Sequence, residues 1–459
     1  VEARTADREA TQARRHVALT AAVAGLGGLL FGYDTGIIAG ALLFITPDFG
    51  LSSFESGVVV SAVPLGAVAG AMISGRLSDR SGRKTVIIIS AVIFAVGAFG
   101  SAAAPGTVAL VIARLVIGLA IGLASAAAPV YISEVAPPEH RGRLVSFFQL
   151  AVTVGILLAY LVSLAFQSVE GWRWMLGLGA VPAFVLGAGM LRMPPSPRWL
   201  VMAGREREAR EVLRKIRVDD GEAIETEVTE IRETIDEDPG NWRDLLEPLA
   251  RAALMVGVGL AILQQISGIN TVIYYAPTIV QFTGVGSSAT AILATVGVGV
   301  INVAATVVAL RLLDRVGRRP LLIGGAAVMG LALTALGAAF LGKPADSGNS
   351  VIAVVALMVY VAAFAVSLGP IFWLMNAELH PLNTRSKAAA VGTMANWTFN
   401  FIVSLTFLLL IDAAGRSGTF FIYAGICGLT VLFCWRFVPE TKGRPLEEIE
   451  DEFRARLSN

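Results

Sequence analysis

Asp34 and Arg114 are charged residues set inside otherwise apolar stretches. A lone charge there would cost several kcal/mol, so each needs a partner or a water-filled cavity. If the first stretch ends near Leu43 and the fourth begins near Val108, helical rise puts Asp34 about 13 Å and Arg114 about 9 Å below the same face. The two can meet. A guanidinium beside a carboxylate keeps it ionised, and withdrawing the guanidinium or drying the cavity favours proton uptake. Such a pair is either a permanent tie between two helices or a proton switch acting on a conformational equilibrium.

A second constellation is neutral. Gln264 and Gln265 share one apolar stretch with Asn270, which lies beyond Gly268, where a local break would turn the backbone toward a cavity. Asn302, Trp373 (four residues after Gly369-Pro370), Asn396 and Trp397 lie in three further stretches. Amides both donate and accept, and aromatic walls cover a weakly apolar C–H face, which suits a polyhydroxylated ring. One amide alone is explained as well by an interhelical hydrogen bond worth roughly 0.6 to 2 kcal/mol. Five amides at comparable depth with two tryptophans favour a ligand path. Tyr274 and Tyr275, one turn past Asn270, suit an outer gate or plain aromatic packing near the interface.

The elements that position these groups follow from composition. The chain has 459 residues, 55% hydrophobic and 15% charged, with a mean hydropathy of +0.70. A soluble chain would be nearer a quarter charged, so cytosolic, disordered and fibrous classes are excluded in favour of a bilayer. Apolar runs of about 20 residues centre near Leu29, Leu65, Val92, Leu119, Val154, Val181, Leu263, Val300, Gly330, Val361, Ile402 and Thr430, predicting twelve transmembrane helices. Of 36 basic residues, Arg173, Lys343 and Arg416 fall in loops on one side and Arg114 in a span. The other 32 share a side with both termini, so the positive-inside rule puts the termini in the cytoplasm. Residues 1–16 then form a cytoplasmic tail rather than a signal peptide.

A net charge of +1 leaves no footprint for nucleic acid. Cys427 and Cys434 stand seven apart, about 10 Å along a helix, too far for a disulfide. His16, His140 and His380 offer no metal set, and no cofactor is expected. With no nucleophile paired to a base and no phosphate-cradling loop, an enzyme is not expected.

The chain repeats itself. GRLSDRSGRK at 75–84 returns as LRLLDRVGRR at 310–319, and Glu134 with Arg141 returns as Glu378 with Arg385. Pro194-Pro195-Ser196-Pro197-Arg198 is echoed by Pro439-Glu440-Thr441-Lys442-Gly443. The nearly constant offset predicts two pseudo-symmetric halves of six spans, 17–192 and 249–438, an architecture that binds ligand between the halves near the midplane and rocks them for alternating access. Residues 193–248 turn polar, with Ile224, Val228, Ile231 and Ile235 at helical spacing, and read as a cytoplasmic helical linker; 439–459 form a cytoplasmic tail. The repeated Asp79, Arg80, Arg83, Glu134, Arg141 and Asp314, Arg315, Arg318, Glu378, Arg385 read as an ionic latch between the halves, or as arginines that only enforce topology.

Together, GGLLFGYDTGIIAGA, the two D-R-x-G-R loops, RLVIGLAIG, PVYISEVAPPEHRGR, QQISGINTVIYYAP, GPIFWLMNAELHP, NWTFNF and PETKG resemble the sugar porter family of the major facilitator superfamily over nearly the whole chain. The family's P-E-S-P-R has Pro195 in place of the acid, and two glutamines expected in span five fall on Ile156 and Tyr160. The resemblance implies the major facilitator fold and hexose contacts at Gln264, Gln265, Asn270, Asn302, Trp373, Asn396 and Trp397. Proton-coupled members carry an Asp at position 34, where facilitative glucose transporters carry Asn. A proton-coupled monosaccharide symporter is therefore expected, with glucose or a related hexose as cargo, acting as a monomer in the cell membrane. A passive facilitator is the alternative. A sugar sensor is a weaker one, since only about nineteen residues follow Glu440.

Overall fold

The structure, a computed structural model, describes residues 2–137, 141–217, 221–236, 241–284, 287–341, 347–380 and 384–442, with backbone alone for 2–14, 141, 143, 234–236, 314, 347–349 and 377. Its first half runs α1 (Glu2–Phe49), α2 (Ser53–Ser81), α3 (Arg83–Ala102), α4 (Thr107–Val135), α5 (Arg141–Phe166) and a sixth span made of α6 (Trp172–Gly177) and α7 (Ala180–Arg192). Three short helices follow: α8 (Pro197–Met202), α9 (Glu206–Ile216) and α10 (Gly221–Asp236). Span seven is broken into α11 (Pro248–Ile266), α12 (Ile269–Tyr274) and α13 (Ala276–Gln281). Spans eight and nine are α14 (Ser288–Val316) and α15 (Arg318–Ala339), and span ten is broken into α16 (Ser347–Val366) and α17 (Leu368–Glu378). Among the described residues eleven helical stretches are long and apolar enough to cross a bilayer. The last, α18 (Arg385–Phe437), joins two helices across Gly415, whose φ of 71° and ψ of 170° are not helical, so twelve spans result. Large apolar side chains such as Val108, Leu331 and Trp435 cover the outside, as a lipid-facing surface requires.

Close helix contact comes from small residues. Gly28, Gly32, Gly36 and Gly40 recur every four residues along α1, and a Cβ on any of them would run into α5 at Phe148, Val152, Ile156 or Ser163. Gly66 and Gly70 of α2 face Gly118 and Gly122 of α4 in the same way, each meeting backbone of the other helix. These seams hold the helix carrying Asp34 and the helix carrying Arg114 at backbone-to-backbone range from their neighbours.

The D-R-x-G-R loops are one-residue turns. Gly82 (φ 85°) alone separates α2 from α3, and Gly317 (φ 105°) alone separates α14 from α15, a conformation that favours glycine. On this side, called here the linker side, α9 and α10 pack into the first half. Leu213, Ile216, Ile224 and Val228 share one apolar core with Val17 and Ala21 of α1 and Val135 of α4. Arg217 donates to the Val135 carbonyl at 2.9 Å while pairing with Glu227 at 2.8 Å. The periodicity expected for Ile224, Val228 and Ile231 is thus an inward face; the Ile235 side chain lies outside the described residues.

The two halves meet on the opposite, far side and in the middle. There α12 and α13 lie against α1, and the Tyr160 hydroxyl of α5 donates to the Ile273 carbonyl of α12 at 3.0 Å. Gly57 of α2 packs on the Leu405 carbonyl of α18, and Phe31 of α1 on Trp397 of α18, ring centroids 5.2 Å apart.

Candidate functional site

Asp34 and Arg114, placed by depth alone at adjacent levels, are brought together. Arg114 Nη1 and Nη2 face the two carboxylate oxygens at 3.4 and 3.5 Å, and Arg114 Nε donates to the Val59 carbonyl of α2 at 2.8 Å. Both residues are almost wholly buried, at 3% and 1% exposure. The pair therefore ties α1, α2 and α4 at one point. The helix that carries Asp34 packs against α12, so the pair also lies beside the broken part of span seven.

The amides form one network. Gln264 Nε2 donates to the Leu368 carbonyl at 2.8 Å, and Gln265 Nε2 to Gln264 Oε1 at 3.2 Å and Asn396 Oδ1 at 3.0 Å. Asn396 Nδ2 donates to Gln264 Oε1 at 2.5 Å, and Asn270 Nδ2 to Gln265 Oε1 at 2.6 Å. The break that carries Asn270 toward Gln265 is present: Gly268 adopts φ 93° between α11 and α12. Trp397 seals the network against α1, and its buried indole N–H finds no acceptor among the described residues. An unmet buried donor costs about 1 to 3 kcal/mol, which a ligand oxygen would recover. Trp373 is 38% exposed and edge-on to Phe372 at 4.9 Å, with no hydrogen bond to the amides. Asn302, buried in α14, makes no hydrogen bond to the network either. Four of the five expected amides are thus assembled, and Asn302 and Trp373 stand apart in this conformation.

Tyr274 and Tyr275 are both buried. The Tyr274 hydroxyl accepts from Asn400 Nδ2 at 3.4 Å; the Tyr275 hydroxyl donates to the Ser404 carbonyl at 3.1 Å, its ring 4.9 Å from Phe407. They hold the far-side part of span seven against α18.

With the far side closed, the residues of the expected ionic latch pair locally. Arg83 pairs with Glu134 at 3.2 Å and with Asp79 at 3.5 Å; Arg318 pairs with Glu378 at 3.1 Å. Arg385 donates to the His380 carbonyl at 3.3 Å. Each of these contacts stays within one half, in a state whose far side is closed, whereas the latch is expected when that side is open. The physical reason is that the halves touch on the far side, leaving each carboxylate nearest the arginine of its own repeat. The side chains of Arg141 and Asp314 lie outside the described residues.

Several contributors carry no strong sequence signal. Ser196 donates to Glu134 at 2.5 Å and Thr441 to Glu378 at 2.7 Å, so a hydroxyl after the last span of each half caps the repeated carboxylate. Their offset of 245 matches the repeat and could have revealed them. Glu440 accepts from the backbone N–H groups of Arg318 and Arg319 at 3.0 and 3.1 Å, capping α15. At the matching place in the first half stands Pro195, and the ring of Trp199 covers Gly82 instead. Glu440→Gln should lower stability by about 1 kcal/mol, read as an earlier thermal unfolding midpoint in detergent, because it weakens a charged cap. Asn400 lies one helical turn after Asn396. Gln149 is half-buried seven residues before Ile156, on the same face of α5, with no hydrogen bond among the described residues. Ile156 and Tyr160 pack on Gly36 and Gly299, so around these two positions the Tyr160 hydroxyl is the polar group they offer.

No cluster of metal-ligating side chains occurs among the described residues. His380 lies beyond the end of α17, and burial, with the Arg385 charge beside it, pushes it down to about 4, so it stays neutral near pH 7. The arrangement is thus a neutral hydrogen-bonded cluster in the second half and one buried ion pair in the first.

Known proteins share this arrangement at the level of sequence and fold. The family model described as "Sugar (and other) transporter" matches residues 20–453. The chain is 44% identical to the D-xylose transporter of Levilactobacillus brevis over 432 residues, 94% of each chain. It is 40% identical to the galactose-proton symporter of Escherichia coli K12 over 444 residues, 96% of this chain and 95% of that one. The partially occluded inward open structure of the xylose transporter XylE from E. coli matches with a TM-score of 0.83 and 34% identity, covering 94% of this chain and all of that one. The fold is accordingly that of the major facilitator superfamily, as the motifs lead one to expect. With its duplicated halves, its midplane amides and a family match over nearly its full length, this chain belongs to the sugar transporter family.

Proposed function

We propose that this transporter is a proton-coupled symporter that imports a monosaccharide, most simply glucose or a related hexose, by alternating access. The observation that carries the reading is the buried Asp34–Arg114 pair at 3.4 Å, set beside the outer part of span seven. Two opposite charges withdrawn from water in a span are expensive, and one proton on the carboxylate removes the attraction that offsets that cost. Protonation then loosens α1 from α4 and shifts the balance between the two facing states.

Cargo recognition falls to Gln264, Gln265, Asn270, Asn396 and Trp397, with Asn302 and Trp373 from the same half as further contacts. In the closed far side, Tyr274 and Tyr275 act as the outer gate. By the distribution of arginine and lysine, the linker side is cytoplasmic, both termini lie there, and the molecule sits in the cell membrane as a monomer. Asp79, Arg83, Glu134, Arg141, Asp314, Arg318, Glu378 and Arg385 then form the latch that closes the inner face when the outer face opens, Arg83–Glu134 and Arg318–Glu378 being held inside each half meanwhile.

The relatives named above carry pentose and hexose labels, so the cargo is decided by experiment. Uptake of glucose, galactose, xylose, mannose and inositol into proteoliposomes, with and without a proton ionophore, is the test. Accumulation of one of them above its external concentration, abolished by the ionophore, supports the reading. Equilibration unaffected by the ionophore makes the protein a facilitator.

A further inference from the structure

Spans seven and ten are both broken beside the amides, and each break is tied to the other span. At Gly268, with φ 93°, α11 ends, and α12 starts with Val272 N bonded to Gly268 O. The Ser267 carbonyl is therefore left without the helical partner that Thr271 N–H would supply. In its place the hydroxyl of Tyr360, from α16, donates to Ser267 O at 3.0 Å, and both residues are fully buried. In return, Gln264, three residues before this break, donates to the carbonyls of Leu368 at 2.8 Å and Gly369 at 3.4 Å. Those carbonyls sit just past the break in span ten, where Ser367 has φ −127° and ψ −101°.

We infer that Tyr360 is a positioning residue of the transport cycle: its hydroxyl holds the Ser267 carbonyl while the outer face is closed, and yields it to Thr271 N–H when that face opens. Rotating Gly268 into the right-handed region would rebuild the missing helical hydrogen bond and swing everything beyond it, including Tyr274 and Tyr275, away from α1 and α18. The exchange replaces one buried hydrogen bond by another, so neither position strands a buried carbonyl. A near-balanced exchange is what a two-state element requires. Gly268 is suited to this hinge because it alone tolerates both backbone regions, and its missing Cβ leaves the Tyr423 ring room at 3.2 Å. Because Gln264 belongs to the proposed sugar site, the inference rests on the transporter reading and adds to it the link from cargo to hinge.

The test uses full-length protein in nanodiscs with spin labels at Val169→Cys and Leu341→Cys, exposed positions on the outer ends of the two halves; native Cys427 and Cys434 are buried. Tyr360→Phe keeps the ring and removes the hydroxyl. It should raise the ratio of long to short inter-label distances about fivefold, the equivalent of about 1 kcal/mol for one hydrogen bond. Gly268→Ala, which disfavours positive φ, should shift the distances the same way. Calorimetry with D-xylose and D-glucose should show affinities of the wild-type order in Tyr360→Phe. An unchanged distance distribution in folded Tyr360→Phe protein, or a shift of Gly268→Ala toward shorter distances, overturns the inference. A wild type that binds neither sugar, while Tyr360→Phe still lengthens the distances, leaves the hinge standing and removes the sugar reading.

Discussion

Asp34→Asn should abolish uphill accumulation while leaving counterflow of the same sugar intact. Each proton that crosses a potential of 100 mV releases about 2.3 kcal/mol, enough to concentrate a sugar about fiftyfold at one-to-one coupling. Wild-type vesicles under such a gradient should approach that ratio, and Asp34→Asn vesicles should settle at a ratio of one. Asparagine keeps the shape of the side chain and a neighbour for Arg114, but it carries no titratable proton. Arg114 remains anchored by the Val59 carbonyl at 2.8 Å, which is why the fold and the downhill path should survive. The measurement is radiolabelled sugar uptake at imposed pH and voltage gradients, beside counterflow in the same vesicles. Accumulation retained by Asp34→Asn would reduce the pair to a structural tie.

Gly32→Leu should prevent assembly of the first half. A Cβ at Gly32 already overlaps the Val152 carbonyl oxygen and lies 2.7 Å from the Val152 carbonyl carbon, so α1 and α5 would have to separate along the whole four-residue glycine stripe. Overpacking of this kind costs about 3 kcal/mol or more where neither backbone can yield. The expected result is loss of the monodisperse peak in detergent chromatography. Gly25→Ala is the control: it lies on the same helix, nothing approaches its Cβ within 4 Å, and it should behave as wild type. A stable, monodisperse Gly32→Leu protein would mean the seam is looser than its geometry.

Depth along a span is readable from sequence because helical rise is constant, and residue spacing alone is enough to pair Asp34 with Arg114. The same rule places Gln264, Gln265, Asn270 and Asn396 at one level, and they do bond to one another. Rotation about the helix axis and the separation of the two halves are not encoded in depth. Asn302 and Trp373 have the right level but stay out of the network: they share its half, and how far α14 and α17 are turned about their own axes is what depth does not report. The arginine and carboxylate repeats are legible as a duplicated motif, and with the far side closed the pairs form inside each half. A repeat reports which residues correspond, not which of two symmetric partners is nearer. Backbone breaks are half legible: Gly268 announces itself, whereas the twist at Ser367 is three residues ahead of Pro370 and carries no residue signal of its own. Gly415 is the limiting case, since one non-helical glycine is all that separates two spans.

Packing of α9 and α10 into the same core as α1 and α4 makes a twofold-repeated molecule mechanically lopsided. The amino-terminal body has absorbed the connector, since Leu213, Ile216, Ile224 and Val228 complete its interior. A fragment ending at Arg192 would bare that apolar surface to water. Complementation of two separately expressed pieces therefore has its natural scission point after α10, and the carboxyl-terminal piece would begin close to Trp242.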